Sequence, residues 1–365
     1  MEPAQDIVVF PVTQKSYRKY IEFVALCLLA SALLWWFGRN LDWGEVGQRV
    51  SGANPYLLIL AVAIICLAYG ARAFRWGALL KPLVQARLPD LFAATTIGFS
   101  AVFLIGRAGE FVRPVVLPMR DPRVRPSAAL VTILVERIYD MMAVALMFAL
   151  SLIWLKPVVT QEISFGRVRI VGFGMLAATI LGLIFLVWYR TKSAWLVEIL
   201  ERRVGRWPFV PQRLLKLVLR LLEQLSQALR VLVNARELAE TIGWTVLVWF
   251  GIALANFLVM RAFGLQVGVS ETLFVLGWSL VGSLVPTPGG AAGAFHAATA
   301  AGFLFLGVEK ELAAAVSIVL HLVDFGPAVL FGVFYAVRGD LSISRLRTLV
   351  SSKDFENPVG EVQVR

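Results

Sequence analysis

The chain has 365 residues, 59% of them hydrophobic and 16% charged, with a formal net charge of +11. The apolar excess excludes an ordinary soluble domain, and the basic residues fall between apolar runs with no nucleic-acid-reading module among them, so membrane topology accounts for the charge and nucleic acid is not an expected partner. Cys27 and Cys66 both lie inside apolar runs, where a thiol behaves as a small hydrophobe and says nothing of redox compartment.

Tyr20–Phe37 follows Lys15, Arg18 and Lys19 as a signal-peptide core would, but Gly38-Arg39-Asn40 is a poor cleavage site and more apolar runs follow, so a retained first helix is predicted. A spanning helix needs roughly 20 mostly apolar residues. Six segments meet that length: 20–38, 56–80, 128–155, 170–189, 241–260 and 312–337. Two further apolar stretches, Leu91–Leu117 and Thr272–Phe303, are broken in the middle by helix-stopping residues, at Gly106-Arg107-Ala108-Gly109-Glu110 and at Pro286-Thr287-Pro288-Gly289-Gly290. A limb such as Leu91–Ile105 reaches about 22 Å, short of the roughly 30 Å hydrocarbon core, so each is expected to be a re-entrant pair of half-helices. Between the halves, 211–236 reads as one amphipathic helix, with Arg213, Lys216, Arg220, Glu223, Gln227 and Arg230 on its polar face and Leu on the others. That pattern suits a helix lying in the interface near anionic lipid, or equally a connector covering the bundle. Residues 351–365 are polar and expected to fray.

Cytoplasmic loops collect Lys and Arg. With the N-terminus inside and both hairpins re-entrant, 27 of the 35 basic residues fall on the inside and seven on the outside. The same layout makes 56–80, the first hairpin and 128–155 an upside-down counterpart of 241–260, the second hairpin and 312–337. The predicted fold is an all-α polytopic membrane protein with about six full transmembrane helices and two re-entrant half-helix hairpins in an inverted-topology repeat. It forms a single membrane domain: a first half 15–189 with its hairpin at 90–119, a connector 190–240, a second half 241–340 with its hairpin at 270–306, and a polar tail 341–365. Both termini are expected on the cytoplasmic side of a bacterial-type cytoplasmic membrane.

Ionisable residues at membrane depth are costly and therefore functional candidates. Arg107, Glu110 and Arg113 sit at or near the first break, where Gly109 permits a tight turn. Glu136, Arg137 and Asp140 lie in 128–155, with Glu136 and Asp140 four apart on one face, and Pro288, Gly289 and Gly290 shape the second break. His296 and His321 are the protein's two histidines, and His321 is three residues from Asp324. Counting residues puts Glu136 and His321 roughly 14 Å from their entry surfaces, near the bilayer centre. The arginines either grip a phosphate bidentately, helped by half-helix N-termini, or neutralise the neighbouring carboxylates and hold the broken backbone. The two histidines with Asp324 lack metal-ligand spacing, so a hydrogen-bonded His–Asp pair or a proton-linked switch is the preferred reading and no metal is expected. Neither a P-loop nor a Gly-x-Gly-x-x-Gly fingerprint, a nucleophile elbow or a His-Glu-x-x-His motif occurs, so no cofactor is expected.

Gly106-Arg107-Ala108-Gly109-Glu110 with Arg113-Pro114, Glu136-Arg137 with Asp140, and Pro286-Thr287-Pro288-Gly289-Gly290 followed by Gly293-Ala294-Phe295-His296 together resemble the membrane domain of the lysylphosphatidylglycerol synthase (flippase-like, UPF0104-type) family. The resemblance covers nearly all of 15–340. It implies movement of an aminoacylated phospholipid between leaflets, with a separate cytosolic domain as the synthase; the sequence ends at Arg365, so that domain is expected to be missing. His296 stands where many members carry Glu, with one residue intervening. The expected function is a flippase-like lipid translocator with membrane lipid as partner. An intramembrane lipid-modifying transferase and a membrane scaffold regulating a lipid enzyme remain open as alternatives, as does the oligomeric state, a homo-oligomer included.

Overall fold

The structure is a computed structural model that describes residues 14–155, 162–204 and 235–339. Among these residues every regular element is helical. The amphipathic segment expected at 211–236 lies almost wholly outside the described residues.

Helix α1 (Gln14–Gly38) meets α2 (Trp43–Ser51) at a bend of 86°. Asp42 caps α2 by accepting from the amides of Gly44 and Glu45 at 2.9 and 3.1 Å. Asn54 does the same for α3 (Pro55–Leu80), with Pro55 in the first turn, where its missing N–H costs nothing. Then come α4 (Leu88–Ile105), a 3-10 segment Gly106–Val112, α5 (Arg113–Arg120), α6 (Pro126–Trp154) and α7 (Glu162–Val204). The second half contains α8 (Ala235–Ala262), α9 (Val269–Gly282), a turn at Pro288–Ala291, α10 (Ala294–Phe305) and α11 (Lys310–Arg338).

Four of these helices are long and apolar enough to cross a membrane, α3, α4, α8 and α11, and the bent pair α1–α2 makes up to five. Helix α6 is long enough, but Glu136, Arg137 and Asp140 interrupt its apolar surface. Two lengths differ from expectation. Helix α4 starts at Leu88, because Pro89 suits a first turn, and its 18 residues reach about 27 Å. Helix α7 runs through the boundary expected at residue 190 as far as Val204, since no Gly or Pro lies between 190 and 204 and Arg202 pairs with Glu198 one turn back.

Helices α3 and α8 form the most extensive helix pair, and they run antiparallel. At one end the Asn54 amide donates to Ala262 O at 2.9 Å, and at the other Lys81 stands 3.5 Å from Glu240. Helix α4 packs mainly on α11, and α9 on α10 and α6. Each broken hairpin returns to where it started. Arg120 at the end of α5 pairs with Asp90 at the start of α4 (3.0 Å), and Phe305 at the end of α10 meets Phe274 near the start of α9 with ring centroids 5.3 Å apart.

The breaks are backbone features that the sequence forces. Gly106 has φ +70°, and the second break holds Gly289, Gly290 and Gly293 at φ +77°, +64° and +84°. Ala291, φ +65°, is the one non-glycine in this region among the described residues. Gly109 has a different reason to be glycine: a Cβ there would fall 2.2 Å from the α4 backbone at Ala101 and Val102. Gly109→Ala is expected to destabilise the protein by about 1–3 kcal/mol through overpacking, read as a lower unfolding temperature in detergent.

Candidate functional site

Glu136 lies in the first half of α6 and is 0% exposed. Arg113 donates to it bidentately, Nη1 to Oε1 at 2.8 Å and Nη2 to Oε2 at 3.1 Å. Arg113 reaches it from the start of α5 by crossing Gly98 of α4, where a Cβ would fall 2.0 Å from the Arg113 Cγ. Its guanidinium also rests over the Trp76 ring, 4.4 Å from the centroid. Arg137 donates to Glu136 Oε1 at 2.7 Å and stands 3.1 Å from Asp140 Oδ2. Arg75, 0% exposed on α3, donates to Asp140 at 2.6 and 3.2 Å and lies 3.2 Å from Glu136. Trp249 of α8 completes the group, its Nε1 donating to Asp140 Oδ1 at 3.0 Å. Three guanidiniums thus share two buried carboxylates across three elements, and the Trp249 indole brings in a fourth. Such a cluster survives in a low dielectric only because every charge has opposite charge at hydrogen-bond distance.

The two breaks meet beside this cluster. Arg107 donates Nε and Nη2 to the carbonyl of Ser283, just past the end of α9, at 3.0 and 2.9 Å, and Nη1 to Glu110 at 2.9 Å. Gly106 lies against the backbone of Pro286 and Thr287, where a Cβ would come within 3.0 Å of Thr287 O. A carbonyl orphaned at the end of one half-helix is therefore satisfied by a guanidinium from the other hairpin.

Between the breaks is a cavity of about 480 Å³. Its lining includes the charged side chains of Arg72, Arg107, Glu110, Arg137, Asp140 and Asp324; Met141, Val144 and Phe148 of α6 and Met175 and Ala178 of α7 are part of its apolar lining. Helix α7 rests chiefly on α6, and a Cβ on Gly172 would fall 2.4 Å from Leu152.

Arg107, Glu110, Arg137, Asp140, Gly290 and Asp324 of the predicted residues line this cavity, while Arg113 and Glu136 stand behind its wall. Pro288 and Gly289 form the turn of the second break. His296 and His321 sit with ring centroids 4.7 Å apart, edge to face. The expected His321–Asp324 hydrogen bond is not formed. His321 Nε2 lies 3.0 Å from Gly290 O and so holds the second break, whereas Asp324 accepts from Asn256 Nδ2 at 3.3 Å. Three residues apart on a helix is near enough for contact, but the ring turns toward the break and the carboxylate toward α8. His296 Nδ1 accepts from the Gly293 amide at 3.4 Å. Among the described residues no three His, Cys, Asp or Glu side chains gather as metal ligands.

Arg72, Arg75, Trp249 and Asn256 were not singled out by the sequence. Arg72 and Arg75 both lie within the apolar run 56–80, and that position is the signal that separates a buried arginine from a loop one.

Fold and site together define a polytopic helical membrane protein whose two broken hairpins meet at an interior, charge-lined cavity. The sequence signature of the lysylphosphatidylglycerol synthase TM region matches residues 23–332, and the chain belongs to that family. It is 23% identical over 353 residues to a UPF0104 membrane protein of Pyrococcus horikoshii, covering 92% of this chain and 99% of the relative. A UPF0104 membrane protein of Methanothermobacter thermautotrophicus is 25% identical over 328 residues, covering 88% of this chain and 93% of the relative.

Removing one carboxylate from the cluster strands buried guanidiniums. Glu136→Gln is expected to cost about 3–5 kcal/mol, seen as a lower unfolding temperature. In the double variant with Arg113→Gln the loss is smaller than the sum of the two single losses, because each single change already breaks the shared pair.

Proposed function

We propose that the protein translocates lipid, passing a phosphate-bearing headgroup through the cavity between the breaks while the acyl chains stay in apolar surroundings. The observation that carries this reading is the lining of the cavity where the two broken hairpins meet, six charged side chains set among a largely apolar surface that α6 and α7 help to supply. An amphiphile needs both surfaces at once, whereas a soluble substrate would gain little from the second. Membership in a family named for a lipid synthase's membrane region is consistent with it.

The packing also supports an inverted repeat. If α3, α4 and α6 correspond to α8, α9 and α11, then the α4–α11 contact has its counterpart in α9–α6, α3–α11 in α8–α6, and α3–α8 pairs with itself. Each hairpin then leans on the last long helix of the other half. The two breaks enter from opposite faces, as in transporters whose substrate site lies at a repeat interface. Both termini on the cytoplasmic side of the cell membrane complete this topology.

Of the phosphate-gripping arginines expected, Arg107 and Arg137 face the cavity, and Arg107 also ties the breaks together. Glu110 and Asp140 balance them. Arg113 and Glu136 act from behind, by holding α5 and α6 in place. The test is leaflet exchange of fluorescent phospholipids in proteoliposomes. Arg107→Gln is expected to slow exchange about tenfold or more, the loss of one to two charge-assisted hydrogen bonds, while the protein still melts cooperatively. Unchanged exchange in a folded Arg107→Gln variant would contradict the proposal.

A further inference from the structure

The charged residues of the cavity wall are not all neutralised. Arg107 has Glu110, and Arg137 has Glu136 and Asp140. Asp324 of α11 and Arg72 of α3 also face the cavity, yet neither has an ion-pair partner among the described residues. They are neighbours through one side chain. The Tyr69 hydroxyl donates to the backbone carbonyl of Asp324 at 2.9 Å, and the Arg72 guanidinium lies 5.9 Å from the Tyr69 ring and 4.8 Å from that of Phe99.

Asn256 of α8 is the decisive residue. It is 0% exposed, and its Nδ2 is shared between Ile252 O at 3.0 Å and the Asp324 carboxylate at 3.3 Å, while its Oδ1 is buried with no hydrogen-bond partner. An amide beside a carboxyl group offers one donor and one acceptor. The ionised carboxylate uses only the donor; the protonated acid has an O–H that can also satisfy the orphaned Oδ1. A buried acceptor left unsatisfied is costly, so the site is furnished for both states of Asp324. The remaining ionisable groups packed around α11 are occupied or distant. Tyr69 donates to the backbone, His321 is turned to Gly290, His296 to Gly293, and Arg49 of α2 pairs with Glu309 at the end of the bundle.

We infer that Asp324 is a proton-carrying group, and that an anionic headgroup entering the cavity is accompanied by one proton taken up from the cavity water onto the Asp324 carboxylate. This rests on the translocation reading for its cargo. Arg72 provides the coupling: its charge, which no carboxylate meets at ion-pair distance, acts on both Asp140 and Asp324 and so favours the Asp324 carboxylate, and a phosphate on Arg72 weakens that support, so anion and proton bind together. By reciprocity, lowering the pH must then tighten binding of the anion.

Proton uptake by the detergent-solubilised protein, followed with a pH dye in weak buffer, tests this when dihexanoyl phosphatidylglycerol is added. Up to about one proton per chain is expected for the wild type. None is expected for Asp324→Asn, a near-isosteric change that can still accept from Asn256 and that should make binding of this lipid insensitive to pH. Lipid binding by the wild type without proton uptake overturns the inference and leaves translocation standing. A second measurement needs no lipid. In infrared difference spectra between two pH values, one carboxyl component should be present in the wild type, absent from Asp324→Asn and shifted in Asn256→Leu. A titrating Asp324 component with neither lipid binding nor exchange keeps the proton site and overturns translocation; no such component between any two pH values overturns the proton site.

Discussion

The contact of the Arg107 guanidinium with the Ser283 carbonyl closes the problem that a broken helix creates inside a membrane. Hydrocarbon offers no hydrogen bonds, so a half-helix can end at depth only where protein satisfies its terminal carbonyls. Here the first break caps the second. The first supplies the charge of Arg107, and the second supplies its own backbone, with Gly106 kept small so that the two chains touch. The cavity follows from this meeting, because a carbonyl, a guanidinium and the Glu110 carboxylate are thereby held facing a space that apolar helices surround.

The cluster around Glu136 and Asp140 makes the meeting durable. It ties α3 and α5 to α6 with bidentate arginine contacts and α8 to α6 through the Trp249 indole N–H. Buried ion pairs add little net stability compared with a well-packed apolar core, but they are severe about geometry, since any displacement leaves a charge without its partner. That severity suits a protein whose interior must keep Arg107 and Arg137 at the cavity wall. Helix α7, in contrast, contributes apolar lining to the cavity and rests chiefly on α6.

Much of this was legible in the chain. Glycine and proline clusters at 106–110 and 286–290 marked the breaks, and charges inside an apolar run at 136–140 marked the cluster. Charge pairing was readable too, since Arg107 with Glu110 and Arg137 with Asp140 are each three residues apart. What could not be read was long-range. Arg75 has no partner near it in sequence, since only the fold brings Glu136 to it from 61 positions away, and Asn256 is an ordinary polar residue until Asp324 lies beside it. His321 and Asp324 show the limit of periodicity: it placed both side chains on neighbouring positions of α11 but not their partners, which come from the second break and from α8.

Lipid is proposed to enter the cavity between the breaks. The most direct test is a cryo-electron microscopy map of the protein in lipid nanodiscs, at a resolution that separates headgroups from acyl chains. The expected result is a headgroup beside Arg72 and Arg107, with its chains leading out past α6 and α7. Lipid density confined to the outer surface, with the cavity closed by its own side chains, would contradict it.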